Sequence, residues 1–193
     1  LYIDTGAMYR ACALAALRAG INIDNEAGVC DLMRTVSLNV VYEDGLQHTF
    51  LNGEDVSDVI RAPEISMAAS TISKHESVRM KMAEKQREIA GKMSCVLDGR
   101  DIGTFVLPDA DFKFFLTASP EVRAQRRYDE LVAKGHRVDF ETLKHDILAR
   151  DEQDATRAIA PLKKADDAVL IDTSDMTIDQ VLRTIKNKMQ EKI

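Results

Sequence analysis

The sequence has 193 residues, of which 45% are hydrophobic and 30% charged, a composition typical of one ordinary folded domain with room for an inserted subdomain. The formal net charge of −6 argues against a general nucleic-acid binder, which needs an extended basic face, so any basic site must be local. No apolar run approaches the roughly 18 residues that a membrane-spanning helix needs. The three scattered cysteines indicate reduced thiols in a cytoplasmic protein, and neither they nor the four dispersed histidines have metal-ligand spacing.

The chain opens with the end of a strand at residues 1–4, which leads through Asp4-Thr5-Gly6 into a helix predicted over 7–19. Thr5 or Asp4 is suited to cap this helix, and Gly20 is suited to end it. A second short helix is predicted over 26–34, with Asn25 as its cap.

The pattern then changes to an antiparallel unit. Strands are predicted over 38–42 and 48–51, with turns at Asp44-Gly45 and Asn52-Gly53. Helices over 63–70 and 76–90 follow, the second ended by Gly91. We interpret residues 35–90 as an insert in a core formed by residues 1–34 and 91–193.

The βα pattern resumes after the insert. A central strand is predicted over 94–97, and nearly continuous apolar runs over 111–117 and 169–172 predict two further strands buried on both faces. Helices are predicted from Ser119 to Lys134, from residue 140 past Arg150, and over 177–190. This alternation predicts an α/β fold with a mostly parallel sheet and helices on both faces.

The central strand ends in Asp98-Gly99-Arg100-Asp101, an unusual concentration of charge after an apolar run. Ligands bind at the carboxyl ends of strands in open α/β sheets, and an unpaired buried charge costs several kcal/mol. A simple turn is the alternative, because Asp-Gly is a common turn dipeptide.

Arginines recur where predicted strands end. Guanidinium groups bind phosphate oxygens bidentately, so their convergence would indicate a small polyanionic ligand. Arg10 lies in an otherwise apolar helix, whereas Arg150, Asp154 and Arg157 also fit a solvated helix face, and Arg126 and Arg127 fit an ordinary surface. These residues contain no Gly-x-x-x-x-Gly-Lys phosphate loop and no Gly-x-Gly-x-x-Gly fingerprint.

Several motifs together carry a resemblance to bacterial cytidylate kinases across essentially the whole chain. They are Asp4-Thr5-Gly6-Ala7-Met8-Tyr9-Arg10, Leu51-Asn52-Gly53-Glu54-Asp55-Val56, Asp98-Gly99-Arg100-Asp101-Ile102-Gly103-Thr104, Leu116-Thr117-Ala118-Ser119 and Ala160-Pro161-Leu162. The resemblance implies the P-loop nucleoside-monophosphate kinase fold, with a five-stranded parallel sheet, an enlarged monophosphate-binding insert and a lid at 121–138. It also implies transfer of the ATP γ-phosphoryl group to CMP or dCMP, with Mg²⁺.

The resemblance also implies roles for individual residues. Arg10, Arg100 and Arg157 would hold the CMP phosphate, with Thr5 at the same site, while Ser70, Arg79 and Asp101 would contact cytosine. Asp154 and Arg150 would bind the ribose, and Asp98 would lie near Mg²⁺ through water. Arg123, Arg126 and Arg127 would close over the ATP phosphates, and the arginines assigned to catalysis are Arg10, Arg100, Arg127 and Arg157.

The resemblance places the phosphate loop, its lysine and the first strand of the fold upstream of Leu1. We therefore expect these 193 residues alone not to bind ATP productively. The expected protein is a cytoplasmic monomer with CMP, dCMP and ATP as its partners. Two alternatives stay open: a kinase of the same fold that prefers UMP or AMP, and a non-catalytic nucleotide-binding or scaffold protein. A nucleic-acid-binding module is disfavoured by the negative charge.

Overall fold

The computed structural model describes residues 1–43 and 45–192, and its first elements are strand β1 (Tyr2–Asp4) and helix α1 (Thr5–Arg18). Asp4 caps α1, because its side chain accepts a hydrogen bond from the backbone N–H of Ala7 at 3.1 Å. Gly20 lies beyond the end of the helix with a left-handed φ of 65°. Both signals are confirmed, as is the Asn25 cap of helix α2 (Glu26–Thr35).

The predicted antiparallel unit is a three-stranded sheet of β2 (Leu38–Glu43), β3 (Leu46–Leu51) and β4 (Glu54–Asp55). The turn at Asn52-Gly53 is confirmed, with φ values of 51° and 87°. The turn predicted at Asp44-Gly45 includes Asp44, which lies outside the described residues. Helices α3 (Pro63–Ile72) and α4 (Glu76–Ala90) follow a short 3₁₀ turn at Val59–Arg61.

Strand β5 (Val96–Asp98) pairs in parallel with β1. A π-helical turn over Ile102–Val106 follows it, which the sequence did not predict. Helix α1 lies at the centre of this part of the chain and packs against α2, α3 and α4. The core is formed by fully buried side chains, among them Met8, Cys12, Ile72, Val78 and Met82.

The remaining elements are β6 (Phe114–Thr117), α5 (Pro120–Ala133), α6 (Phe140–Thr156), β7 (Val169–Asp172) and α7 (Ile178–Gln190). Strands β6 and β7 pair in parallel. Ser119 caps α5 and Asp139 caps α6, as predicted. Thr177 and Gln180 form a reciprocal capping box at the start of α7.

The burial predicted for β6 and β7 is wrong. The side chains of Leu116 and Leu170 are 51% and 59% exposed, and within these two strands only Ile171 is buried. An apolar strand is covered on both faces only when helices lie against both. Among the described residues these two strands pair only with each other, and their outward side chains stay in contact with solvent.

The chain divides into two compact units, Leu1–Val106 and Leu107–Ile193. The α/β class with parallel strands and flanking helices is confirmed, but the parallel strands of the described residues form the pairs β1–β5 and β6–β7. The predicted division into a core of 1–34 and 91–193, an insert of 35–90 and a lid at 121–138 stays a prediction. No helix of the described chain is long and apolar enough to cross a bilayer.

Candidate functional site

The ends of β1 and β5 bring together the start of α1 and the charged loop 98–101 of the first unit. The strands are parallel, and Asp4 is the register partner of Asp98, so both strands end at the same edge of the sheet. The Thr5 hydroxyl donates a 2.6 Å hydrogen bond to the backbone carbonyl of Asp98. This bond joins the start of α1 to the start of the loop 98–101, and both elements carry predicted site residues.

Gly99 allows this close approach. A Cβ atom at position 99 would lie 2.4 Å from Oγ1 of Thr5 and 2.9 Å from Cδ1 of Ile102. Any larger residue would have to displace one of these side chains. The glycine after Asp98 is therefore required by packing at this loop.

Asp4 holds Arg10 while it caps the helix. Its Oδ1 accepts from the N–H of Ala7, and its Oδ2 accepts from Nη2 of Arg10 at 2.8 Å. The Nε atom of Arg10 is buried and has no hydrogen-bond partner among the described residues. One side of the guanidinium is thus anchored, and its remaining donors suit an oxyanion ligand.

Arg79 and Asp101 form a buried ion pair in the first unit. Arg79 is 2% exposed and Asp101 6%, and Nη2 of the arginine lies 2.5 Å from Oδ2 of the aspartate. Asp101 follows β5 and Arg79 lies in α4, so the fold joins residues that are 22 positions apart in sequence. A pair of this kind is costly to bury unless it is fully paired or serves binding.

Two further elements hold the Arg79 guanidinium. Its Nη1 donates to the carbonyl of Ser73 at 3.2 Å, and its central carbon lies 5.7 Å from the centre of the Tyr9 ring. Ser70 is half-buried near the end of α3, and its carbonyl accepts from the Ser73 hydroxyl at 2.8 Å. The structure therefore places Ser70 on the segment that also supports Arg79.

Asp98 and Arg100 are exposed at the same loop. The Tyr2 hydroxyl donates to the Asp98 carboxylate at 3.5 Å, and the pKa of Tyr2 is raised by its partial burial and then by the negative charges of Asp98 and Asp4. The described residues contain no cluster of three metal-ligating side chains. Mg²⁺ is commonly held by one or two carboxylates with waters and phosphate oxygens, so exposed Asp98 is a donor of the right chemistry for that ion.

The second unit contains its own buried pair. Nη1 of Arg157 donates to Oδ1 of Asp154 at 3.0 Å, and both side chains are less than 10% exposed. Nε of Arg157 donates to the carbonyl of Ala160 at 2.8 Å, at a residue with an unusual φ of 48°. Arg150, two turns before the end of α6, is exposed.

The three predicted lid arginines of α5 all make contacts within the second unit. Arg123 pairs with Asp151 of α6 at 2.5 Å, and Arg127 pairs with Glu130 one turn along its own helix at 2.7 Å. Arg126 donates to the carbonyl of Thr173 at 2.6 Å and to its hydroxyl at 3.2 Å. Each of these guanidinium groups keeps further N–H donors beyond these bonds, as Arg10 does beside Asp4.

Two residues that contact the site were not predicted from the sequence. Tyr9 supports Arg79 through its ring, and Gln47 of β3 hydrogen-bonds the backbone of Asp4. Tyr9 belongs to the Asp4–Arg10 motif, but an aromatic residue in an otherwise apolar helix carries no separate functional signal. Gln47 carries no sequence signal, because an alternating strand accepts a polar residue at that position.

Comparison with known proteins places these observations in a family. A family described as cytidylate kinase matches residues 1–191 of this chain. The cytidylate kinase of Halalkalibacterium halodurans is 45% identical over 193 residues, which cover 100% of this chain and 87% of that protein. The cytidylate kinase of Lactobacillus gasseri is 47% identical over 192 residues, which cover 100% of this chain and 84% of that protein. The cytidylate kinase of Geobacillus sp. strain WCH70 is 46% identical over 193 residues, which cover 100% of this chain and 86% of that protein.

Proposed function

The chain belongs to the cytidylate kinase family, and from this membership we propose that it transfers the γ-phosphoryl group of ATP to CMP and dCMP, with CDP and dCDP as products. The cytoplasmic location and the monomeric state stay predictions from the sequence. The observation that carries the choice of base is the buried Arg79–Asp101 pair.

The base contacts are proposed for Ser70, Arg79 and Asp101. Cytosine presents an amino group that needs an acceptor, and O2 and N3 that need donors. The Asp101 carboxylate and the Arg79 guanidinium supply both kinds of group, and the Ser70 hydroxyl supplies a further donor. Because the pair is buried, a base with the wrong pattern would leave polar atoms unsatisfied, which supports strong selection.

Binding of the acceptor phosphate is assigned to Arg10, Arg100 and Arg157, with Thr5 at the same site. The Asp4 anchor fixes the direction of Arg10, which favours bidentate contact with phosphate oxygens. Exposed Arg100 follows directly after Gly99. The roles of Arg157 and Thr5 rest on the resemblance.

The ribose is assigned to Asp154 and Arg150. A carboxylate accepts hydrogen bonds from ribose hydroxyls, and Asp154 is held in place by Arg157. Because the 2′-hydroxyl provides only part of this contact, the arrangement is compatible with both CMP and dCMP.

The contacts with the phosphates of ATP are assigned to Arg123, Arg126 and Arg127, which would neutralise their charge with the N–H donors that remain beyond their contacts within the second unit. Mg²⁺ near Asp98 would supply further charge neutralisation at the phosphates when it is bound. Asp98 would hold the ion through water, in keeping with its exposure.

The reaction needs no general base from the protein. A phosphate monoester has a second pKa of about 6, so the attacking oxygen is already deprotonated near neutral pH. The protein has to bring two polyanions together, stabilise the charge of the transferring group and exclude water. The catalytic residues Arg10, Arg100, Arg127 and Arg157 provide positive charge for this purpose.

The test is an acceptor panel with the protein expressed from its complete coding sequence. ADP release from ATP and Mg²⁺ is measured with CMP, dCMP, UMP and AMP in turn, and nucleoside diphosphates are identified by chromatography. We expect kcat/KM for CMP to exceed that for AMP by at least about a hundredfold, because a mismatched base leaves the buried pair unsatisfied. Preference for UMP or AMP would overturn the base assignment, and no turnover with any acceptor would favour the non-catalytic alternative.

A further inference from the structure

We propose that Gln47 is a positioning residue for the acceptor phosphate, because its side-chain amide fixes the backbone of Asp4 and, through Asp4, the direction of Arg10. This inference rests on the proposed function, which assigns Arg10 to the CMP phosphate. Gln47 lies on β3, in the antiparallel sheet, whereas Asp4 and Arg10 lie at the end of β1 and in α1.

The contact between Gln47 and Asp4 has two points. Oε1 of Gln47 accepts from the backbone N–H of Asp4 at 2.7 Å, and Nε2 donates to the Asp4 carbonyl oxygen at 3.3 Å. One side-chain amide thus binds both backbone groups of one residue, as a neighbouring strand would. Two bonds to one residue restrict its rotation more than a single bond does.

The same aspartate directs Arg10. Its Oδ1 is committed to the helix cap, and its Oδ2 accepts from Nη2 of Arg10 at 2.8 Å. The guanidinium Nε is buried and has no hydrogen-bond partner among the described residues, so Asp4 is its main anchor. A shift of the Asp4 backbone would move the carboxylate and therefore the arginine fork that faces the phosphate.

A purely structural role for Gln47 makes a different prediction. Through its two bonds to Asp4, Gln47 joins β3 to the end of β1 whether or not a nucleotide is bound, and its Nε2 also lies 3.4 Å from the hydroxyl oxygen of buried Thr49 on its own strand. If it served only that purpose, its loss would lower stability and affect every ligand equally. A positioning role predicts a loss specific to the phosphate.

The experiment compares CMP with cytidine, which lacks the phosphate. Gln47→Met keeps the length of the side chain and removes both hydrogen bonds. Calorimetry should show a roughly three- to tenfold weaker affinity for CMP and less than about a twofold change for cytidine. Leu46→Ala, on the same strand and 65% exposed, is the matched control and should change neither affinity.

A double-mutant cycle tests the route through Arg10. In an Arg10→Ala background, Gln47→Met should cause no further loss of CMP affinity, because the residue that it positions is gone. Equal losses for CMP and cytidine, or additive losses in the double variant, would overturn the positioning role. If Gln47→Met does not fold, the same affinities for CMP and cytidine are measured with Gln47→Asn. That variant keeps the amide, but its side chain is one methylene too short to reach Asp4.

The wild-type protein separates this proposal from the function on which it rests. Wild-type protein that binds CMP no more tightly than cytidine would overturn both the phosphate assignment of Arg10 and the role of Gln47. A wild-type preference for CMP over cytidine, together with unchanged CMP affinity in the Gln47 variants, would overturn only the role of Gln47.

Discussion

At the scale of single residues, the Arg79–Asp101 pair serves both the stability of the core and the proposed recognition of the base. Both partners are nearly fully buried, so each compensates the charge of the other, which would otherwise be buried without a partner. The pair also offers the donors and the acceptor that cytosine requires. Loss of one partner should therefore affect both stability and base recognition, and the two effects can be measured separately.

The first prediction concerns Asp101→Ala. The variant should lose about 3–5 kcal/mol of unfolding free energy, because Arg79 stays buried without its carboxylate. Its KM for CMP should rise by roughly a hundredfold while its KM for ATP changes little, because the triphosphate does not use this carboxylate. Urea unfolding and steady-state kinetics give the two quantities.

Two comparisons sharpen this result. Arg79→Met combined with Asp101→Ala should restore part of the lost stability, since no isolated charge is left in the core, but it should not restore the affinity for CMP. Equal losses for CMP and ATP in the single variant would show instead that Asp101 is structural.

The second prediction concerns Gly99→Ala. The added Cβ would meet Oγ1 of Thr5 at 2.4 Å, so the hydrogen bond from Thr5 to the Asp98 carbonyl should be distorted or lost. We expect a loss of about 1–3 kcal/mol, measured by thermal or urea unfolding.

Gly91→Ala is the matched control for this substitution. Gly91 ends α4 with a φ of −71°, and a Cβ there would approach backbone oxygens no closer than 3.4 Å. Its substitution should be neutral or slightly stabilising. A Gly99→Ala variant as stable as Gly91→Ala would contradict the tight packing of the loop.

The sequence indicates a site residue when the signal lies within its own element, and not when it depends on a partner far along the chain. Arg10 stands out because a charge interrupts an apolar helix face. Arg79 and Gln47 look ordinary within their own elements, and their importance arises from partners 22 and 43 positions away. Local patterns carry no information about such contacts, so only the resemblance pointed to Arg79 and nothing pointed to Gln47.

At the scale of elements, α5 shows that adjacent arginines have different surroundings. Arg126 binds the carbonyl and the hydroxyl of Thr173, at the end of β7, whereas Arg127 makes an exposed pair with Glu130 on its own helix. The two side chains differ in the contacts that they make between elements. Substitution of the two arginines should therefore lower the free energy of unfolding by different amounts.

The third prediction compares Arg126→Gln with Arg127→Gln. Arg126→Gln should lower the unfolding free energy by about 1–2 kcal/mol, because two of its acceptors belong to the end of β7. Arg127→Gln should cost less than about 0.5 kcal/mol, as expected for an exposed pair within one helix. Urea unfolding of both variants measures the difference, and equal stability would contradict a structural role for Arg126.

Helix ends were the most predictable features of the elements. Asp4, Asn25, Ser119 and Asp139 all cap helices as their side-chain chemistry indicates, because capping depends only on neighbours within one turn. The exposure of β6 and β7 and the π-helical turn after Asp101 were not predicted. Strand burial depends on what covers each face, and the two ends of the turn are held by residues of α4, Asp101 by Arg79 and the Val106 carbonyl by Arg87.

At the scale of the whole molecule, a net charge of −6 coexists with local clusters of arginine. The carboxylates surround these arginines as partners: Asp4 holds Arg10, Asp101 holds Arg79, and Asp154 holds Arg157. Such pairs fix the direction of each guanidinium before a ligand arrives. The acidic balance therefore suits a protein that orients its cations for small anionic ligands rather than for an extended polyanion.

The last prediction uses Cys12 as a reporter for opening of the first unit. Cys12 lies in the centre of α1 with no exposed surface, and its burial raises the pKa of the thiol to about 12, although Lys81 lowers it slightly. Alkylation requires a thiolate in contact with solvent, so the folded protein should protect Cys12 at about pH 8. The half-buried Cys30 and Cys95 should react much faster.

Mass spectrometry of the alkylated protein gives the reaction rate at each of the three cysteines. Cys12 should react only when the core around α1 opens, so its slowing relative to an unfolded peptide gives the free energy of that opening. Nucleotide that binds the folded first unit should slow Cys12 further, by the factor by which it stabilises that unit. If Cys12 reacted as fast as Cys30, α1 would not be the closed centre of the core, and the site carried at its start would lack its rigid support.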